Sequence, residues 1–574
     1  MKENIENKLK SSGFLFDDEH KIWYLGTQEF FNYSDGDEAE SYIYDIFNNI
    51  ENYENIEIEV EDKIKNWESL YHLSSQRTKL IAPFIETFEN KIILEIGCGC
   101  GALTRYLGIN SKLVVAIEGS YRRASITSKR CKDLDNVLVI CCNSRDLPEF
   151  GLFDTVLLIG VLEYAKKYLG DKGEILLLES CRNQIKDSGN VFIAIENKIG
   201  VKYLAGANED HYNQAMIGIN RQYPEKNICT YGKVELIKKI QKAGYNDVLD
   251  YYPFPDYKFP NLVISGDLLK KYSNFNIVRD MIVQSLNRDP QLEHVKFNFS
   301  LESMVENLFD NEIVDNFSNS FLFIASKQIE PNKVTGLWYY SFLRKSKFSK
   351  YFKIIENLDN LYILNSYKNI DSIEIGKNYW NSLISVINKK NWSYDDLLNY
   401  FLVWYKILCD QVKLDYTCLF NSKVSNKYLE ALPFNLIIND IDHVFIDLDE
   451  EYIEEGCVEI GYLFYRAVFH SLARVSSVED SCYIKNVNLH DICSEVIKSF
   501  YKNISQTKCD EYLKKEIEIL NKISISETSF SLLKNIKIKK RIYTVEYFNR
   551  FNNIKFLLKL IVKLVCVKFL KLRK

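Results

Sequence analysis

The sequence predicts an α/β protein built on a doubly wound parallel sheet, with a second α+β domain and a basic C-terminal helix behind it. Three observations carry this prediction. Lys91–Gly101 reads Lys-Ile-Ile-Leu-Glu-Ile-Gly-Cys-Gly-Cys-Gly, an apolar strand that breaks into alternating glycines before a helical pattern through Leu103, Tyr106 and Leu107. From Lys91 onward, apolar runs of strand length alternate with longer helical stretches. After residue 330 that alternation ends, and from Ser529 the sole acid is Glu546 among recurring Lys and Arg.

Composition bounds the function classes. At 574 residues the chain has room for three or four domains of roughly 150 residues each. Hydrophobic residues make up 47% of it, enough for sizeable cores. A net charge of −5 exerts no overall pull toward nucleic acid or anionic lipid, so no nucleic-acid partner is expected. The 14 cysteines show no Cys-x-x-Cys pairing, and Cys141 and Cys142 lie in an apolar strand. This suits buried thiols in a reducing cytosol better than disulfides or zinc, and no metal site is expected. Met1 leads into the polar Lys2–Lys10, so no secretory signal is expected either.

Taken in order, residues 1–85 begin with short strand-like pieces and acidic turns such as Ser34-Asp35-Gly36-Asp37. Ile64–Ile81 then reads as a helix carrying Trp67, Tyr71, His72 and Arg77. It is either a lid over a ligand mouth or a packing helix with satisfied polar groups. The parallel strands read Ile92–Ile96, Leu113–Ile117, Val137–Cys141, Thr155–Ile159 and Val191–Ile195. Tyr231–Ala243 reads as a helix with Gly244 as its C-cap. Val248–Tyr252 and Asn261–Ser265 are expected to close the sheet as a terminal hairpin. Residues 266–330 read as helices ending in a strand, Ser320–Ser326.

The strand, glycine loop and helix together make a nucleotide-type cofactor site. Gly97, Gly99 and Gly101 let the backbone approach a ligand closely, and the helix start offers unpaired N–H groups. Glu95, just before the first glycine, would repel a pyrophosphate but accept from an ammonium. Glu118, ending the second strand, is placed to accept from both hydroxyls of a ribose. A dinucleotide loop remains the competing reading, although Ala102-Leu103 follow Gly101 instead of the expected third spacing. A tight turn with no ligand is the other.

These residues resemble the class I S-adenosylmethionine-dependent methyltransferases, which implies a Rossmann-like sheet with S-adenosyl-L-methionine as cofactor. The resemblance implies that Glu95 holds the cofactor's ammonium, directly or through water, and that Glu118 holds its ribose. It places Asn143 and Ser144, in Asn143-Ser144-Arg145-Asp146-Leu147-Pro148, at the adenine, with Asn143 where the family usually has an acid. Gly160, in Gly160-Val161-Leu162-Glu163-Tyr164, would line the substrate side. Residues 30–265 further resemble a subgroup found in bacterial cell-surface polysaccharide gene clusters, most specifically at Trp67–Arg77, Glu95–Gly101, Ala194–Gly206 and Tyr252–Pro260. That implies a glycan or small-molecule acceptor, with the methyl group going to a sugar hydroxyl. Transfer to a hydroxyl needs a base. The polar insertion 198–230 holds Asn208-Glu209-Asp210-His211-Tyr212. His211 is the favoured base, with Asp210 or Glu209 orienting it; a hydrogen-bonded surface histidine is the alternative.

In the second domain, Leu429-Glu430-Ala431-Leu432-Pro433-Phe434-Asn435 followed by Val444-Phe445-Ile446-Asp447-Leu448-Asp449 resembles the catalytic and metal-binding loops of kinase-like phosphotransferases. The family's first acid is Glu430 here, no glycine-rich phosphate loop precedes it, and its upstream lysine is only nominally Lys368. A degenerate, non-catalytic lobe is expected; a β-hairpin with incidental polar ends stays open. At the C-terminus, Lys555, Lys559 and Lys563 fall on one helical stripe amid apolar residues of Asn553–Leu570. Lysines at nearly every turn exclude a spanning helix. The stretch reads either as an interfacial helix or as one packed on the protein's own acidic surface.

The expected organisation is an N-terminal lid or substrate region (1–85), a cofactor-binding domain (86–265), a connecting helical region (266–330), a degenerate kinase-like domain (331–510) and a basic tail (511–574). A cytoplasmic methyltransferase with peripheral membrane contact through 551–574 follows. A bifunctional methyltransferase and phosphotransferase, or a non-catalytic scaffold of a glycan-assembly complex, are the competing readings.

Overall fold

The computed structural model describes residues 1–26, 36–273, 276–328, 334–341, 344–345, 350–357, 360–365, 370–372, 376–439, 442–446, 448, 456–485, 487–525 and 529–542. The basic tail at 551–574, Lys368, Asp447 and Asp449 lie outside these residues.

The strands that matter are β1 (Phe14–Asp17), β2 (Ile22–Leu25), β3 (Ile92–Ile96), β4 (Leu113–Glu118), β5 (Val137–Cys141), β6 (Phe153–Ile159) and β7 (Ile185–Glu196). They are followed by β8 (Asn208–Glu209), β9 (Gln214–Ala215), β10 (Asp247–Phe254), β11 (Leu262–Ser265) and β12 (Ser320–Ser326). The last are β13 (Leu337–Tyr340), β14 (Tyr351–Asn357), β15 (Asn360–Asn365) and β16 (Ile370–Ser372). Except for the β8–β9 ribbon they form one sheet, in the order β1-β2-β5-β4-β3-β6-β7-β12-β10-β11-β13-β14-β15-β16. From β2 to β7 the neighbours are parallel. Strand order reverses about β3, which puts a crevice at the carboxyl ends of β3 and β6.

The core explains why the strands read as unbroken apolar runs. Ile92, Leu94 and Ile96 pack with Val115, Ile117, Val156 and Leu158 on one face. Ile93 packs with Val114, Ala116, Leu157 and Ile159 on the other. With both faces covered, both parities of β3 are apolar apart from Glu95, whose carboxylate accepts from Thr104.

The sheet is not closed by the hairpin that the sequence led us to expect. β10 and β11 do pair antiparallel, but β12 inserts between β7 and β10, antiparallel to both. All seven residues of β12 are buried, so its apolar run Phe-Leu-Phe-Ile-Ala belongs at the centre of the sheet and not at its edge. β12 follows β11 in the chain, yet β10 lies between the two in the sheet. The sheet then continues past β11 into β13, and it therefore crosses both expected boundaries, at 265 and at 330.

Beyond the sheet, the helices Trp380–Ile387, Tyr394–Val412, Ile460–Ala473, Leu489–Phe500 and Gln506–Ile523 pack with short antiparallel strands, including Leu436–Ile438 against His443–Phe445. Ser393 and Asp396 form a reciprocal capping box at the start of Tyr394–Val412. No helix among the described residues is long and apolar enough to cross a membrane.

Candidate active site

A cavity of about 620 Å³ opens at the carboxyl ends of β3, β4, β6 and β7. Of the residues singled out in the sequence, Gly97, Gly99, Glu118, Asn143, Ser144, Gly160, Asp210 and His211 line it. Glu95, Gly101 and Glu209 stand behind the lining.

The glycine loop is shaped by what surrounds it. Gly97, Gly99 and Gly101 all have positive φ, at +77°, +57° and +78°. A Cβ on Gly97 would lie 2.5 Å from Val161 Cγ2, whereas one on Gly99 would meet nothing within 4 Å. Gly99 therefore presents bare backbone to open space. Glu118 Oε2 accepts from the Gly99 N–H at 2.8 Å, and its Oε1 accepts from the Ser120 N–H at 3.0 Å. Each carboxylate oxygen keeps capacity for a further donor such as a ribose hydroxyl. At the end of β5, Asn143 Oδ1 accepts from the Arg145 N–H at 3.2 Å.

Glu95 is 4% exposed and accepts from Thr104 Oγ1–H at 2.7 Å. Burial raises its pKa to about 7, against the pull of Thr104 and Arg77. Arg77 does line the cavity, with its guanidinium 4.0 Å from the Tyr71 ring centroid. The expected helix 64–81 is split: Trp67–Leu73 is α-helical, capped by Asn66, and Ser75–Leu80 is 3₁₀. Trp67, Tyr71 and Arg77 lie on the cavity, and Trp67 meets Phe259 edge-on at 5.5 Å.

At the acceptor end the expected base, His211, sits among carboxylates. His211 Nδ1–H donates to Glu209 Oε1 at 3.0 Å, and His211 Nε2 stands 3.8 Å from Glu163 Oε1. Burial lowers its pKa, but the neighbouring carboxylates of Glu163, Glu209 and Glu196 outweigh that and raise it to about 11. Acids on this side of the ring favour its protonated form, which has no lone pair left to take a proton from an acceptor. Asp210 does not orient it. Burial raises the Asp210 pKa, but Lys202 and Lys258 prevail and hold it well below the usual carboxylate range, and Tyr203 Oη–H donates to it at 2.6 Å. Glu209 is the orienting acid: its Oε2 also accepts from the His211 and Tyr212 backbone N–H groups at 2.8 and 3.1 Å.

The groups that the sequence did not single out are Glu163, after β6, and Glu196, ending β7. Both are 1% exposed and line the cavity, and in each the Oε2 atom has no hydrogen-bond partner among the described residues. Tyr257 Oη–H donates to Glu196 Oε1 at 3.3 Å, and Lys258 Nζ donates to the same atom. Burial raises the Glu163 pKa, opposed by His211 and reinforced by Glu196. Each glutamate stood inside a segment read from the sequence, but only folding brings two strand ends and an insertion to one point. The connecting region also reaches the cavity, through Pro290, Gln291 and Glu293.

In the second module, Arg466 binds the Glu430 carboxylate, and Asn435 Nδ2–H donates to the Glu430 backbone oxygen at 2.8 Å.

Part of the sheet matches a known family. The family described as "Methyltransferase domain" matches residues 94–193. A tRNA U34 carboxymethyltransferase of Pseudoalteromonas atlantica is 28% identical over 147 residues, covering 25% of this chain and 43% of that protein. That of Mannheimia succiniciproducens is 24% identical over 173 residues, covering 29% and 49%. The chain thus spans less than half the length of these curated relatives. Among solved structures, Haemonchus contortus phosphoethanolamine N-methyltransferase 2 in complex with S-adenosyl-L-methionine is 16% identical with a TM-score of 0.27, covering 50% of this chain and 60% of that one. A possible histamine N-methyltransferase from Thermotoga maritima is 15% identical with a TM-score of 0.27, covering 47% and 100%. Residues 94–193 carry a methyltransferase domain of the class I, S-adenosylmethionine-dependent fold.

Proposed function

We propose that this chain transfers a methyl group from S-adenosylmethionine to a hydroxyl of a sugar, on a bacterial glycan or a small glycoside. The observation that carries this reading is the pair Glu163 and Glu196. Two buried carboxylates with unpartnered oxygens form the wall of a cofactor cavity. Such oxygens are costly unless a donor reaches them, and a polyhydroxylated acceptor supplies donors.

The residues fit the cofactor. Gly99 leaves open space for it, Glu118 would accept from its ribose hydroxyls, Arg77 would hold its carboxylate, and Asn143 and Ser144 would lie at its adenine. When bound, it supplies a methyl group on a positively charged sulfur, already a good leaving group. The protein's own task is positioning and proton removal. Glu163 accepts the hydrogen bond of the attacking hydroxyl and takes its proton; its raised pKa makes it a better base than an ordinary glutamate. The His211 cation, clamped by Glu209, keeps neighbouring acids ionised in a buried setting.

A second reading takes its support from the relatives named tRNA U34 carboxymethyltransferase. Under it the acceptor is a tRNA base. The net charge of −5 and the acidic cavity give little to hold phosphates, which is why we place it second. Incubating the protein with isotope-labelled S-adenosylmethionine and, separately, glycan acceptors and total tRNA decides between them. Label in the glycan fraction supports the first reading, and label in tRNA alone overturns it. We also read the second module as a kinase-like lobe without catalysis, supported by the Arg466–Glu430 pair. The protein as a whole is read as cytoplasmic.

A further inference from the structure

We propose that Glu163, Glu196 and His211 form a divalent-cation site in the acceptor end of the cavity, which binds the acceptor's oxygen. The inference rests on the methyltransferase reading for its purpose, though not for its geometry. One candidate ligand atom from each residue lies within 4.8 Å of the others, and all three residues line the cavity. The separation of 3.8 Å between His211 Nε2 and Glu163 Oε1 is too long for a hydrogen bond. It suits two ligands that each stand about 2.1 Å from one ion.

The surroundings hold each ligand in place. Glu209 Oε1 accepts from His211 Nδ1–H, which leaves Nε2 facing the two glutamates. The same carboxylate is pinned by two backbone N–H groups. This is the carboxylate–histidine arrangement that orients a ligating imidazole. On Glu196, Tyr257 and Lys258 both donate to Oε1, so Oε2 is the atom left for a ligand. Glu163 Oε2 is likewise buried with no hydrogen-bond partner. Two nearly inaccessible carboxylates, each with an unpartnered oxygen beside an oriented imidazole, are better explained by a cation than by packing.

Two carboxylates and one imidazole favour a cation such as Mn²⁺. Binding displaces any proton on His211 Nε2. An acceptor hydroxyl held on the cation loses its proton more readily; that proton passes to the carboxylate oxygen of Glu163 not engaged by the ion.

The test is Mn²⁺ titration of the purified full chain followed by electron paramagnetic resonance, with S-adenosylhomocysteine binding measured in parallel by calorimetry. The expected result is one Mn²⁺ per chain, with at least tenfold weaker binding in Glu196→Gln and His211→Asn. Glu209→Gln, which touches no ion, should weaken binding by about 10–100-fold while the circular dichroism spectrum stays unchanged. A chain that binds S-adenosylhomocysteine but no Mn²⁺ overturns the cation site alone, as does equal Mn²⁺ binding by wild type and all three variants. A folded chain that binds neither overturns the methyltransferase reading as well.

Discussion

Glu118, at the end of β4, accepts a hydrogen bond from the Gly99 amide in the loop after β3 at 2.8 Å. This contact ties the glycine loop to the acid that the cofactor's ribose requires. Gly99→Arg should abolish S-adenosylhomocysteine binding in calorimetry, because the side chain would fill open cavity at a residue whose φ is +57°. Glu118→Ala should weaken binding by about 1–3 kcal/mol, the range for hydrogen bonds to a charged group. Unchanged affinity in both variants would remove the cofactor assignment.

Glu95 makes stability depend on pH. Its pKa is about 7 in the folded chain because of burial, against 4.5 for an ordinary glutamate. The folded state therefore keeps a proton that the unfolded chain gives up. The resulting stability is complete below pH 4.5 and is lost as the pH rises through about 7. Glu95→Gln keeps an acceptor for the Thr104 hydroxyl without the charge. Urea titration of the cofactor-free protein should show it more stable than wild type at pH 8, by on the order of 3 kcal/mol, and little different near pH 4.5. Equal stability at both values would mean that Glu95 is solvated.

The proposal that Glu163, and not His211, is the base has a kinetic consequence. Glu163→Gln should lower kcat by about 10²–10⁴-fold, the usual contribution of a positioned base. The Kd for S-adenosylhomocysteine should move much less. Parallel losses in kcat and cofactor affinity would reduce Glu163 to a structural role.

In the second module, Arg466 joins two buried acids, Glu430 and Glu516. Burial raises the Glu516 pKa, but Arg466 and His470 prevail and hold it well below the carboxylate range. Arg466→Leu would take the shared guanidinium away from both buried acids, so denaturant unfolding should show a loss of about 3–5 kcal/mol. With Glu430 held in this pair, no magnesium-dependent ATP hydrolysis is expected. Hydrolysis that disappears in Asp447→Ala would show the module to be an active phosphotransferase.

For the basic tail, sedimentation with vesicles of anionic lipid is the measurement. The full chain should bind and a chain ending near Thr544 should not, with each lysine near the surface contributing about 1 kcal/mol. Added salt should weaken binding without ending it, since burial of Phe556, Leu557 and Leu560 is unscreened. Equal partitioning of both chains would return the tail to a packing role.

The sequence by itself determined the parallel strands and the cofactor loop. Ile92–Ile96 is apolar at every position but Glu95 because both faces are covered, and Gly97, Gly99 and Gly101 take up positive φ, which glycine adopts without a Cβ penalty. Both requirements are local and leave a readable pattern. What only the tertiary structure decided depends on contacts between distant segments. An apolar run such as Ser320–Ser326 looks the same at a sheet edge as at its centre, so insertion of β12 between β7 and β10 could not be read from it. The role of His211 turned on the same kind of fact. Glu209, two residues away, orients the ring, while Glu163 and Glu196, brought in from the ends of β6 and β7, act on it through charge at close range in a buried site.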